Sequence, residues 1–164
     1  IDATLFSCDA GPEHTPGVKK AIVASCVDQY VFDCLAGADL HIFEIGPEGI
    51  KTGPTTATCA LMLAPMLDYS GVAFFGCESS IGSSTHIYEN RTYDDLMVVE
   101  AGGQTFKTVP EFLMQAEFLS AAVRTAPEYY SQQSGGLLGA LVAHGDYNVM
   151  MISRALQARL YEAA

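Results

Sequence analysis

The reactive side chains of this chain are concentrated in one short stretch. Within "FFGCESSIGSSTHIY", residues 74–88, an apolar run gives way to Glu78, Ser79, Ser80, His86 and Tyr88. A carboxylate and an imidazole at this spacing can ligate a metal, pair as proton acceptor and orienter, or hold a ribose. His86 and Tyr88 alternate, so an extended backbone points both the same way. The competing reading is a polar surface loop in which His86 is merely hydrogen-bonded. Two donors without a recognised spacing are weak grounds for a zinc site. No Gly-x-Ser-x-Gly elbow occurs and Ser79 has no convincing triad, which argues against a serine hydrolase.

Two further loops carry polar groups. Asp9, followed by Glu13 and His14, leaves the first apolar run and suits ribose or metal contact; a plain turn-forming aspartate fits equally. "GPEGIKTGPTTATC" places Gly53, Thr55 and Thr56 directly before a helical pattern, where exposed N–H groups and hydroxyls suit a phosphate. The spacing is not that of a Walker loop, and an ordinary threonine cap is the alternative. His41 lies inside a strand pattern and reads as a structural histidine. His144 stands near a glycine-rich turn and is left unassigned.

Short apolar runs alternating with helical patterns must position these groups. Strands are expected over 3–8, 20–26, 39–46 and 71–77, the last apolar on both faces as in a central parallel strand. A short helix follows Ser25 as cap, with Val27, Val31 and Leu35 on one face and Gly37 at its end. An apolar helix follows Thr55, and Pro65 should kink or break it. "DLMVVEA" and "GQTFKTV" read as a hairpin turning at Gly102-Gly103. Thr108-Val109-Pro110-Glu111 reads as a capped helix start, with Phe112, Ala116, Leu119 and Val123 along one face. "YYSQQ" reads as a last short strand. Asp146 is expected to cap a final helix with Val149, Ile152, Leu156 and Leu160 inward. The pattern predicts an α/β fold: a three-layer, Rossmann-like domain with a mostly parallel central sheet. In such sheets ligands bind beyond the carboxyl ends of the strands, where the three polar loops fall.

The whole chain sets bounds. Its 164 residues suit one domain, 1–164, and 49% hydrophobic against 16% charged residues argues for a folded globule. A net charge of −11 opposes nucleic-acid binding, and the eight Lys and Arg are scattered. No apolar run reaches membrane-spanning length and no signal peptide opens the chain, so a cytoplasmic protein with no membrane partner is expected. The five cysteines, odd in number and without a C-x-x-C pair, read as buried free thiols.

The order of motifs resembles the MptE-like Rossmann family. "GPTTATCALMLAPMLDYSGVAFFGCESS…THIY" is similar to that family's Gly-Ser/Thr loop, Ala/Leu-rich helix, apolar strand, Gly-x-Asp-Ser-Ser and His-x-Tyr. "GGQTFKTVPEFLMQAEF", "GGLLGAL", "CDAGPEH" and "ASCVDQYVFDCLAG" extend the likeness over nearly the whole chain. The resemblance implies a Rossmann-like nucleotide-binding fold. Its archaeal branch is a hydroxymethyl-dihydropterin pyrophosphokinase using ATP and magnesium. Motility accessory factors, also related, are linked to transfer of nonulosonic acids from nucleotide-activated sugars, and other relatives lie near prophage genes. Two departures stand out: Glu78 replaces the family's usual Asp, and nothing before Ala3 corresponds to its first strand and Gly-Pro-Ser loop.

The implied function is a nucleotide-dependent transferase with a nucleotide or nucleotide-sugar partner, in a bacterial setting. Glu78 and His86 are its expected catalytic residues. Asp9, Gly53, Thr55, Thr56, Ser79, Ser80 and Tyr88 are its expected nucleotide or phosphate contacts. Glycosyl transfer from a CMP-type donor is the first form. ATP-dependent pyrophosphoryl transfer, with magnesium held by Asp9, Glu78 and Asp94, is the alternative. A non-catalytic binding or assembly protein is the other class. The sequence fixes neither the oligomeric state nor the metal requirement.

Overall fold

The computed structural model describes residues 4–6, 18–46, 48–50, 52–53, 55–81 and 94–154. The chain divides into two compact units, Ile1–Asp68 and Tyr69–Ala164.

The first unit holds a three-stranded parallel sheet in the order β1 (Thr4–Phe6), β2 (Lys20–Ala24), β3 (Asp39–Phe43). β2 pairs with both neighbours and buries Ala21, Val23 and Ala24. Between β2 and β3 runs α1 (Gln29–Cys34), which packs Val31 into the core, with Val27 and Leu35 beside its ends. Its cap is Asp28, which accepts a hydrogen bond from the Tyr30 N–H at 2.8 Å, and not the expected Ser25. α2 (Thr56–Met66) completes the unit, with Pro65 inside its last turn and the Leu67 N–H still bonded to the Leu63 carbonyl at 3.0 Å. Cys59 and Leu63 join the apolar core under β2.

The second unit begins with β4 (Val72–Phe74), which pairs in parallel with β7 (Tyr130–Gln132). β5 (Met97–Ala101) and β6 (Gln104–Thr108) form the expected hairpin through Gly102 and Gly103, both at positive φ. α3 (Pro110–Thr125) and α4 (Gly136–His144) supply Leu113, Ala116, Leu137 and Leu141 to a core with Met97, Val99 and Ala101. β8 (Asn148–Ile152) pairs antiparallel with the other edge of β5, with Met150 left as an extra residue between two register positions.

These pairings overturn the Rossmann-like expectation. Among the described residues there are three small sheets of three, two and three strands, one wholly antiparallel, and no extended parallel central sheet. The reason lies largely in β5. Its tight turn into β6 occupies one edge antiparallel, and β8 occupies the other, so no parallel strand can add there. β4 is only three residues long and exposes Ala73, unlike a strand buried on both faces. The expected final helix after Asp146 is β8 over its first turn and a half; Leu156 and Leu160 lie outside the described residues. "NVMMI" carries the β-branched residues of a strand, and antiparallel pairing with β5 decides its state.

The cysteine and histidine expectations also change. Cys59 is buried, Cys34 and Cys77 are half-buried and Cys26 is exposed; Cys8 lies outside the described residues. None of the four described cysteines is in a disulfide. His41 is exposed on β3, 3.4 Å from Asp39, which also pairs with Lys20 at 3.2 Å. The Lys20 hydrogen bond holds the Asp39 carboxyl below the usual carboxylate range. No described helix is long and apolar enough to cross a membrane.

Candidate functional site

The exit of β4 is where the second unit gathers polar side chains. Gly76 turns the chain at φ +65°, and Ser79 turns it again at φ +55°. A left-handed conformation costs a non-glycine residue on the order of 1–3 kcal/mol, so the surroundings must hold it. They do so with hydrogen bonds from three separate elements.

Thr108, fully buried at the end of β6, donates its hydroxyl to the Ser79 carbonyl at 2.9 Å. Gln115, buried on α3, donates its amide Nε2–H to Ser79 Oγ at 2.9 Å. Ser79 Oγ in turn donates to the Cys77 carbonyl at 3.1 Å. Ser134, buried after β7, accepts from the Cys77 N–H at 2.9 Å. The Leu138 N–H, one of the orphan donors in the first turn of α4, goes to the Glu78 carbonyl at 3.1 Å. The Ile81 N–H bonds the Lys107 carbonyl at 2.7 Å. Gly136 crosses so closely that a Cβ there would lie 2.5 Å from Ser80 Oγ and 2.7 Å from Glu78 Cβ.

Thr108 is therefore not the α3 cap. Val109 takes that position without a side-chain bond, Pro110 opens the helix, and the Thr108 hydroxyl is spent on the β4 exit. Phe112 and Gln115 stand three residues apart on α3, a spacing that stacks them on one face. With Gly76, Cys77, Glu78, Ser79 and Ser80 they line a cleft of about 230 Å3. The Glu78 side chain is exposed, Ser80 and Phe112 are half-buried, and Ser79 and Gln115 are buried. Burial pushes the Cys77 thiol up, and the neighbouring Glu78 carboxylate adds to the effect. The thiol is thus a poor nucleophile near neutrality.

The expected site residues are distributed unevenly. Glu78, Ser79 and Ser80 line the cleft. Asp9, His86 and Tyr88 lie outside the described residues, as do Glu13 and His14. Gly53, Thr55 and Thr56 belong to the first unit: Thr56 begins α2, Thr55 is its cap and Gly53 precedes the cap. Thr55 caps that helix in a reciprocal box: its Oγ1 accepts from the Thr58 N–H at 3.4 Å, and Thr58 Oγ1 accepts from the Thr55 N–H at 3.1 Å. A Cβ on Gly53 would lie 2.8 Å from the Thr58 side chain. The Thr55 and Thr58 hydroxyls are thus engaged locally in helix capping. Asp94 is exposed, and its carbonyl accepts the Ser153 hydroxyl at 2.7 Å. Among the described residues no group of three or more His, Cys, Asp and Glu comes together to hold a metal.

Thr108, Gln115, Ser134 and Gly136 are site residues that sequence reasoning missed. They lie 29, 36 and 57 residues from their partners in the case of the first three, beyond the reach of any local spacing rule. The chain matches no protein-family model, no curated protein and no solved structure.

Proposed function

We propose that the cleft at the β4 exit binds a nucleotide or nucleotide-sugar and that the chain is a nucleotide-dependent transferase. Glycosyl transfer from a CMP-type donor is preferred over ATP/magnesium-dependent pyrophosphoryl transfer. The observation that carries this reading is that Glu78 and Phe112 line one concave site, with Glu78 on a loop locked from three sides. A carboxylate and an aromatic ring lining one cleft are suited to a sugar or base, and a rigid loop beneath them is what a binding site needs. The resemblance of the motif order to MptE-like proteins points to the same Glu78-Ser79-Ser80 segment.

Thermal melts with CMP, CDP, ATP and ATP with magnesium test it. A ligand at 100 times its dissociation constant stabilises by about 2.7 kcal/mol, a readily measured shift. Stabilisation by CMP without metal supports the preferred form, and a magnesium-dependent ATP shift supports the other. Glu78→Gln, at an exposed position, should keep the fold and cut the shift to about half. No shift with any of the four ligands overturns the proposal.

Exposed Val149, Met150 and Met151 on β8 favour a second reading, a binding or assembly protein without chemistry. Nucleotide stabilisation with no turnover of any donor would select it.

A further inference from the structure

The cleft is asymmetric in the hydrogen bonds it offers. Ser79 has one hydroxyl proton, and the Cys77 carbonyl takes it. Ser79 Oγ can then meet Gln115 only as an acceptor, at 2.9 Å. That requirement fixes the Gln115 amide: nitrogen towards Ser79, carbonyl Oε1 away from it. Gln115 is only 8% exposed, and its Oε1 has no hydrogen-bond partner among the described residues. Oε1 is not fully enclosed either, and the open space beside Gln115 is the cleft. A buried carbonyl left without a donor costs about 1–3 kcal/mol unless water or a ligand supplies one. The charged group of the cleft, the Glu78 carboxylate, also accepts, while the half-buried Ser80 hydroxyl can donate or accept. No lysine or arginine is among the described residues that line it. Its volume of about 230 Å3 falls below the roughly 300–1,000 Å3 of sites that enclose a whole ligand.

We infer that this cleft takes the uncharged, hydrogen-bond-donating end of its ligand and turns the phosphate away, with Gln115 and Glu78 as the selecting acceptors. The inference rests on the nucleotide reading above and narrows it. An amino-substituted base and a ribose diol share this chemistry, since each presents N–H or O–H donors without charge. A phosphate brings negative charge to a cleft whose one charged lining group, Glu78, is itself anionic, and the Ser80 hydroxyl and the second Gln115 N–H offer it only uncharged donors.

Titration of the full chain with cytidine, uridine, 2′,3′-dideoxycytidine and pyrophosphate, followed by nitrogen–proton NMR, tests the inference. Cytidine should bind and move the two Gln115 side-chain amide resonances, a readout that needs no substitution in the buried network. Retained binding by dideoxycytidine but not uridine assigns the base amine as donor; the reverse assigns the diol. Glu78→Gln should weaken cytidine roughly tenfold, the loss of one charge-assisted hydrogen bond. Pyrophosphate should neither bind at these resonances nor compete. Pyrophosphate competition, or CMP binding without any cytidine binding, overturns the inference and leaves the nucleotide reading intact. Absence of binding by nucleosides and nucleotides alike overturns both.

Discussion

Ser79 and Tyr147 show how single side chains are fixed in the second unit. Ser79 holds its left-handed backbone because its carbonyl and hydroxyl are both engaged by buried partners. Removing a partner leaves a buried polar atom without its bond, which costs more than the bond itself contributes. Tyr147 is simpler. Its hydroxyl donates to Glu117 Oε1 at 2.7 Å, and the phenol is pushed up to about 12, first by that bond and then by burial. The folded value exceeds the ordinary 10.0, so this contact stabilises fully below pH 10 and is lost as pH rises through about 12. Ultraviolet titration of tyrosinate should place Tyr147 among the late-titrating tyrosines. Glu117→Gln should bring its midpoint down; an unchanged midpoint would mean that the bond is not the cause.

The elements were legible where the signal was local. The Gly102-Gly103 turn, the α2 start at Thr55 and the strand states of β2 and β3 each follow from residues within a few positions of one another. So did the polar exit of β4, including Glu78, Ser79 and Ser80. Sheet assembly was not legible, because nothing in "GVAFFGC" or "MVVEA" states which strand will occupy each edge. β8 shows the limit most clearly: Val149 and Ile152 fit a helical face and a strand equally well, and pairing with β5 decides. Gln115 reads as one more polar helix residue until Ser79, 36 positions earlier, is placed beside it. The contact of α4 with the β4 exit gives a test at this scale. Gly136 sits at φ +61° with Glu78 and Ser80 against its Cα. Gly136→Ala should destabilise by about 1–3 kcal/mol in denaturant unfolding and also abolish ligand binding at the cleft. Wild-type stability in that variant would show that the crossing is looser than described.

At the scale of the whole molecule, acidity governs behaviour in solution. A net charge of −11 and a pI near 4.5 keep copies apart at neutral pH and remove that repulsion on acidification. Light scattering from purified protein should therefore peak near pH 4.5 and fall on either side. A maximum at neutral pH would point instead to apolar contacts as the controlling force. The extra residue in β8 bears on such contacts. An edge strand bearing Val149, Met150 and Met151 exposed would ordinarily be a template on which another chain could add its own backbone. Met150 breaks the even repeat of N–H and C=O groups that such a template requires. A visiting strand can match one side of the break or the other, but not both. The β8 edge can thus display an apolar rim while denying fibril growth along it the continuous hydrogen-bonding ladder on which such growth depends.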